Sequence, residues 1–182
     1  YYEHSKIKAE KLIWEYYKKK NLPVVVLRPG IIFGPNGKKA SQRRKIIFGA
    51  KRKILPYIFV KDVVKALILA GDSEVAVGKT YNLVCDDQPT QGEFNELKNR
   101  ILGVKKAGLY LPRPVMFLPA YLFEFYYRKK KSNASPPFNI YHYKSIVRNL
   151  RYDNKKILRE LGWSPAYSLE DGIKETFEYV KN

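Results

Sequence analysis

The sequence predicts an α/β fold with parallel strands, followed by a more irregular C-terminal part. Two observations carry this. Pro23-Val24-Val25-Val26-Leu27 is a continuous, β-branched apolar run, the mark of a strand covered on both faces. Helix-like and strand-like stretches then alternate along the first hundred residues, the pattern of crossovers between parallel strands.

The elements follow in order. Residues 1–20 read as a helix with apolar or aromatic positions at Tyr2, Ala9, Ile13 and Tyr17, closed by Lys18-Lys19-Lys20 and Asn21. The Val-rich strand stops at Arg28-Pro29-Gly30, restarts as Ile31-Ile32-Phe33 and breaks at Gly34-Pro35-Asn36-Gly37. Residues 38–56 are strongly basic around one apolar patch, Ile46-Ile47-Phe48. Tyr57 to Val60 reads as a short strand. Asp62 is placed to cap a helix from Val63 to Ala70, apolar nearly all round and so expected to be buried, with Gly71 as its stop.

Thr80 to Val84 is a further strand. Thr90-Gln91-Gly92-Glu93 spells a capping box for a helix reaching about Leu102, closed by Gly103. Residues 109–127 are apolar and aromatic, and Pro112, Pro114 and Pro119 are expected to break them. Ser132 to Pro137 reads as a loop. Asp153 is placed to cap a short helix that Gly162 ends after Leu161. Ser168-Leu169-Glu170-Asp171 opens a final helix with a buried stripe of Leu169, Ile173, Phe177 and Val180.

Composition narrows the function classes. The 182 residues hold 35 Lys+Arg against 17 Asp+Glu, a formal charge of +18, and are 45% hydrophobic, enough for a packed core. The longest apolar runs fall short of the ~18 residues of a transmembrane helix, and the opening residues do not read as a signal peptide. The single cysteine, Cys85, argues against a disulfide framework and suits a reducing cytosol. With only His4 and His142, far apart in sequence, a histidine-based metal centre is not expected. The charge invites a nucleic-acid reading, yet Arg43-Arg44-Lys45 and its neighbours have no aromatic-interleaved platform beside them, so no nucleic-acid partner is assigned. Cys85 next to Asp86-Asp87 lacks a base at nucleophile spacing, and the acidic pair reads as a strand end.

The chemistry is concentrated at the start. Tyr2 and Lys6 are four apart on a helix and share a face, which should continue inward through Ala9 and Ile13. A lysine ammonium held near a phenol favours phenolate and lowers the tyrosine pKa toward working pH. A tyrosine so tuned can exchange a proton with a carbonyl or alcohol oxygen while hydride moves on the other side.

Several phrases in collinear order extend this pair: Tyr2-Glu3-His4-Ser5-Lys6, Ala9-Glu10, Leu22 to Gly30, Gly34-Pro35, Tyr57 to Ala66, Thr80-Tyr81-Asn82-Leu83, and Leu161-Gly162-Trp163-Ser164-Pro165 with Ser168 to Ile173. Together they resemble the extended short-chain dehydrogenase/reductase superfamily of epimerases, dehydratases, dihydroflavonol-type reductases and 3β-hydroxysteroid dehydrogenase-like enzymes. The resemblance implies the C-terminal portion of a Rossmann-type doubly wound parallel sheet over 1–35 and 57–85, with a smaller, mostly helical substrate-binding part over 36–56 and 86–182. It implies Tyr2 as general acid/base and Lys6 on the nicotinamide ribose. It also puts Pro29, Gly30, Ile31 and Ile32 along the nicotinamide face, with NAD or NADP as cofactor. A homodimer is left open.

The same resemblance places a glycine-rich phosphate loop and a catalytic Ser/Thr before Tyr2, and Gly34-Pro35-Asn36-Gly37 does not replace that loop. These residues are therefore expected to form the C-terminal half of an enzyme whose N-terminal cofactor half is absent, inactive by themselves. Relatives acting on nucleotide sugars commonly carry an arginine just before the Tyr57 segment. Ile54-Leu55-Pro56 stands there instead, with Lys51-Arg52-Lys53 as the nearest substitute. Leu109 to Tyr127, followed by Arg128-Lys129-Lys130-Lys131, resembles the apolar region of the steroid and sterol branch. The expected substrate is therefore an apolar, sterol- or isoprenoid-like alcohol or ketone, with a nucleotide sugar second and a non-catalytic scaffold as the rival class. Physically the 109–131 segment is an apolar wall, or an interfacial helix able to contact a membrane from the cytoplasmic side.

Overall fold

The structure is a computed structural model that describes residues 2–35, 37, 46–48, 50–103, 108–111, 113–130, 140, 143–144, 148–149 and 151–181. It divides into two compact units, one of 1–34, 56–87 and 152–172, the other of 35–55, 88–151 and 173–182.

The first unit begins with α1 (Tyr2–Lys20), then β1 (Val25–Pro29) and β2 (Ile31–Phe33), separated by Gly30 alone. β4 (Tyr57–Phe59) pairs in parallel with β2, Ile32 opposite Ile58. It runs directly into α2 (Val60–Gly71), a short 3₁₀ turn at 74–76, and β5 (Lys79–Leu83). β5 pairs in parallel with β1, Leu27 opposite Tyr81. The β-branched run thus does form a parallel strand, though Val25, Val26 and Leu27 are half-buried rather than covered on both faces.

The core of this unit is Ile58, Val63, Ala66, Ala70, Ala76, Tyr81 and Leu83, completed by Ile157 and Trp163 from far along the chain. Those two residues explain why 152–172, expected in the substrate-binding part, belongs with the parallel strands. Ile157 lies on α5 (Lys155–Leu161), which Gly162 terminates in the left-handed conformation (φ 67°) while its N–H donates to Leu158 O.

Several local expectations are corrected. Asp62 is not a helix cap: α2 starts before it, and the buried carboxylate accepts the N–H groups of Ala166 (2.9 Å) and Tyr167 (3.4 Å). α2 is not buried all round either, since Val64, Leu67 and Ile68 are about half exposed opposite Val63, Ala66 and Ala70. On α1 the half-buried positions are Glu10, Trp14 and Tyr17, while Ala9 and Ile13 are exposed, because the helix turns one residue further round than the apolar pattern implied. Asp153 does accept the Lys155 N–H (3.2 Å), but Asn154 is the buried residue, fixed by the N–H and C=O of Val84.

The second unit contains β3 (Ile46–Phe48) parallel to β6 (Leu109–Leu111), α3 (Gln91–Ile101) and α4 (Arg113–Lys129). The Thr90–Glu93 capping box forms as expected. α4 does not break: Pro114 falls in its first turn, and Pro119 is carried inside the helix. α6 (Leu169–Lys181) starts in the first unit and continues into the second, with Leu169, Ile173 and Phe177 buried. The Val180 side chain of the expected stripe, the Ser132–Pro137 loop and the basic residues 38–45 lie outside the described residues.

Candidate active site

Tyr2 opens α1, and its side chain lies outside the described residues. Lys6 follows one turn later, at an exposed position rather than on the inward edge that the sequence suggested. One turn further, Glu10 shares this stripe and does what the sequence reading missed: it grips Arg28, the residue before Pro29. The Arg28 Nε donates to Glu10 Oε2 (3.2 Å), and Nη2 donates to Oε1, a two-pronged guanidinium–carboxylate pair. Trp14 Nε1 also donates to Glu10 Oε1 (3.4 Å). The Arg28 hydrogen bond holds the Glu10 carboxyl below its ordinary range and raises the guanidinium further. Glu10 and Arg28 stood inside the recognised phrases, and their spacing from Lys6 and Pro29 was the available signal.

Beyond Arg28 the chain makes a tight step. Gly30 N–H donates to Leu83 O (2.9 Å) and Ile31 N–H to Pro56 O (2.6 Å). A Cβ at Gly30 would lie 1.9 Å from Pro56 O, so no side chain is tolerated at this point. The step hands the chain from the β1–β5 pair to the β2–β4 pair. Pro29, Ile31 and Ile32 are exposed there, at the carboxyl end of β1, where open α/β sheets place their ligands. Exposed apolar side chains beside backbone fixed by neighbouring strands suit a flat ring.

The rival chemistries find little support. Cys85 is buried, its N–H donating to Tyr57 O (2.7 Å), and Asp86 accepts from the Asn154 amide (3.0 Å). Among the described residues no group of three His, Cys, Asp or Glu could hold a metal ion. Lys51, the candidate substitute for a pyrophosphate-binding arginine, is paired with Glu96 (2.5 Å).

Comparison with known proteins bears on this geometry. The NAD-binding family model described as "Male sterility protein" matches residues 1–76, the stretch from α1 through α2. A 3β-hydroxysteroid-dehydrogenase/decarboxylase of Arabidopsis thaliana is 26% identical over 97% of this chain and 45% of its own length. A dTDP-D-glucose 4,6-dehydratase of Dictyostelium discoideum is 26% identical over the whole chain and 45% of its length. These matches agree with the resemblance to the extended short-chain dehydrogenase/reductase superfamily. The chain spans about half the length of the curated relatives it matches. The crystal structure of gox2253 superposes at a TM-score of 0.81, with 21% identity, over 99% of this chain and 56% of that one. That likeness concerns the fold. The parallel α/β class expected from the sequence is borne out by the parallel strand pairs and by this likeness to Rossmann-type folds.

Proposed function

We propose that the whole protein is an NAD(P)-dependent oxidoreductase or epimerase acting on an alcohol or ketone. NAD(P) would supply the hydride acceptor or donor when bound. The chain's own groups then have separate tasks. Tyr2 exchanges a proton with the substrate oxygen at its phenolic Oη. Lys6 keeps that phenol ionisable near neutral pH and binds ribose hydroxyls. Pro29 to Ile32 form an apolar surface for the nicotinamide face, with main-chain groups of the turn available to its carboxamide.

The observation that carries this reading is the Glu10–Arg28 pair, which ties the Tyr2–Lys6–Glu10 stripe of α1 to the residue preceding that turn. A proton-transfer group is useful only at fixed reach from the hydride-transfer face, and a two-pronged ion pair between the two elements supplies such a constraint. An apolar, sterol- or isoprenoid-like substrate is favoured. The steroid-dehydrogenase relative supports it, as does the neutral Ile54-Leu55-Pro56 where nucleotide-sugar enzymes commonly carry arginine. A nucleotide sugar is the second reading, favoured by the dTDP-glucose dehydratase relative and weakened by the engagement of Lys51 with Glu96.

The test uses the full-length protein. Tyr2→Phe is expected to lower turnover by ~10²-fold or more with cofactor affinity nearly unchanged. Lys6→Met is expected to weaken cofactor binding and move the pH optimum upward. Unchanged turnover in Tyr2→Phe overturns the assignment. A protein showing neither cofactor binding nor turnover on either substrate class points to the non-catalytic scaffold.

A further inference from the structure

α4 turns its more apolar side away from the protein. At ~100° per residue, Met116, Ala120, Glu124 and Tyr127 fall on one stripe. Met116 and Ala120 are buried there, and the Glu124 carboxylate accepts the Ile140 N–H (3.2 Å). The opposite side carries Leu118, Leu122 and Phe125, exposed by 59%, 53% and 54%, flanked by Val115 and Tyr126. A helix lying on a protein in water has its charges on that side. Here its one carboxylate faces inward and its outer face is aliphatic and aromatic.

The charges stand at one end. Arg128, Lys129 and Lys130 are exposed at the C-terminal turn, and Lys131 follows in sequence. Lys129 Nζ lies 5.9 Å from the Phe125 ring centre and Lys130 Nζ 5.6 Å from that of Tyr126, so the basic heads edge the apolar face. Seventeen residues make a helix ~26 Å long, and none among the described residues is long and apolar enough to cross a membrane.

We propose that this face seats α4 in the interfacial layer of an anionic lipid bilayer. Leu118, Leu122 and Phe125 enter the headgroup–acyl boundary, Tyr126 sits at headgroup depth, and Arg128, Lys129 and Lys130 meet the lipid phosphates. Charge selects this occupant over a second copy of the chain. These 182 residues carry +18, so two copies of them repel, whereas an anionic surface attracts them, the basic end of α4 in particular.

The test is cosedimentation of the full-length protein with phosphatidylcholine vesicles, with and without phosphatidylserine. It reads binding alone and is independent of what the protein catalyses. Binding to the anionic vesicles and release by high salt are expected. Combined Leu118→Gln, Leu122→Gln and Phe125→Gln should weaken binding at least about tenfold, as should Lys129→Gln, Lys130→Gln and Lys131→Gln. No binding at low salt overturns the proposal. So does wild-type binding by the Leu/Phe variant, since that is surface adsorption of a basic protein. Should the Leu/Phe variant melt early, Leu122→Cys carrying nitrobenzoxadiazole, in a Cys85→Ser background, decides. A blue shift with anionic vesicles supports the seating, and unchanged emission refutes it. A concentration-dependent dimer in light scattering that the Leu/Phe variant abolishes would assign the face to a second copy instead.

Discussion

Gly30→Ala is the most informative single substitution. The added methyl would sit 1.9 Å from Pro56 O and 3.2 Å from Pro56 Cβ, against a normal carbon–oxygen approach beyond 3 Å. The strand step must therefore open by more than an ångström. Two backbone hydrogen bonds flank the point of contact, Gly30 N–H to Leu83 O and Ile31 N–H to Pro56 O. Each contributes about 1 kcal/mol net and costs about 1–3 kcal/mol when its groups are left buried without a partner. The expected loss is about 2–4 kcal/mol, or about 4–16 °C in Tm for a domain of 150–250 residues. Gly71→Ala is the matched control. It lies in α2 with nothing within 4 Å of the new Cβ, and it should be neutral or raise stability by about 0.4–1 kcal/mol. The measurement is thermal unfolding of both variants followed by circular dichroism. A Gly30→Ala protein that melts within 2 °C of the parent would refute the close approach and with it the geometry of the turn.

Two further predictions rest on buried polar groups. Asp62→Asn turns an N–H donor toward one of the two amides that the carboxylate accepts from the 166–167 turn, so a loss of about 1–3 kcal/mol is expected in denaturant unfolding, and an unchanged midpoint would contradict the contact. Tyr81 is buried, and burial together with its hydrogen bond to Glu160 pushes its phenol up to about 12. The unfolded chain ionises near 10, so the native state resists ionisation: this stability is fully present below pH ~10 and is lost between about 10 and 12. Tyr81→Phe should flatten stability across that alkaline window, and an unchanged pH slope would show that the phenol does not titrate there.

What the sequence made legible is what short-range chemistry determines. The Thr90–Glu93 box needs only four residues, and Gly162 needs only its own backbone freedom, and both stand as expected. The strand positions at 25–29, 57–59 and 79–83 follow from β-branched and aromatic runs. Asp62 was misread because a cap and a buried tertiary acceptor look alike locally, and its partners lie more than a hundred residues away. The prolines of α4 were read as breaks because propensity counts the lost N–H of Pro119 and not the helix on either side. In the candidate site, Tyr2 and Lys6 were proposed from their spacing, and Pro29 to Ile32 from the family resemblance. The Glu10–Arg28 pair needed the fold to bring residues eighteen apart together.

The first unit is stitched from three separate stretches, and that has a consequence for biosynthesis. Its central strand pair is closed by residue 83, but Ile157 and Trp163, which complete the core, leave the ribosome about 75–80 residues later. At ~5–20 residues per second, the nascent chain waits about 4–16 s with one side of Ile58, Tyr81 and Leu83 uncovered. During that interval the unit is a client for chaperones and a target for proteases. A frameshift or nonsense mutation between residues 84 and 156 leaves the parallel strands without their last core side chains, even though every strand of this unit has been made.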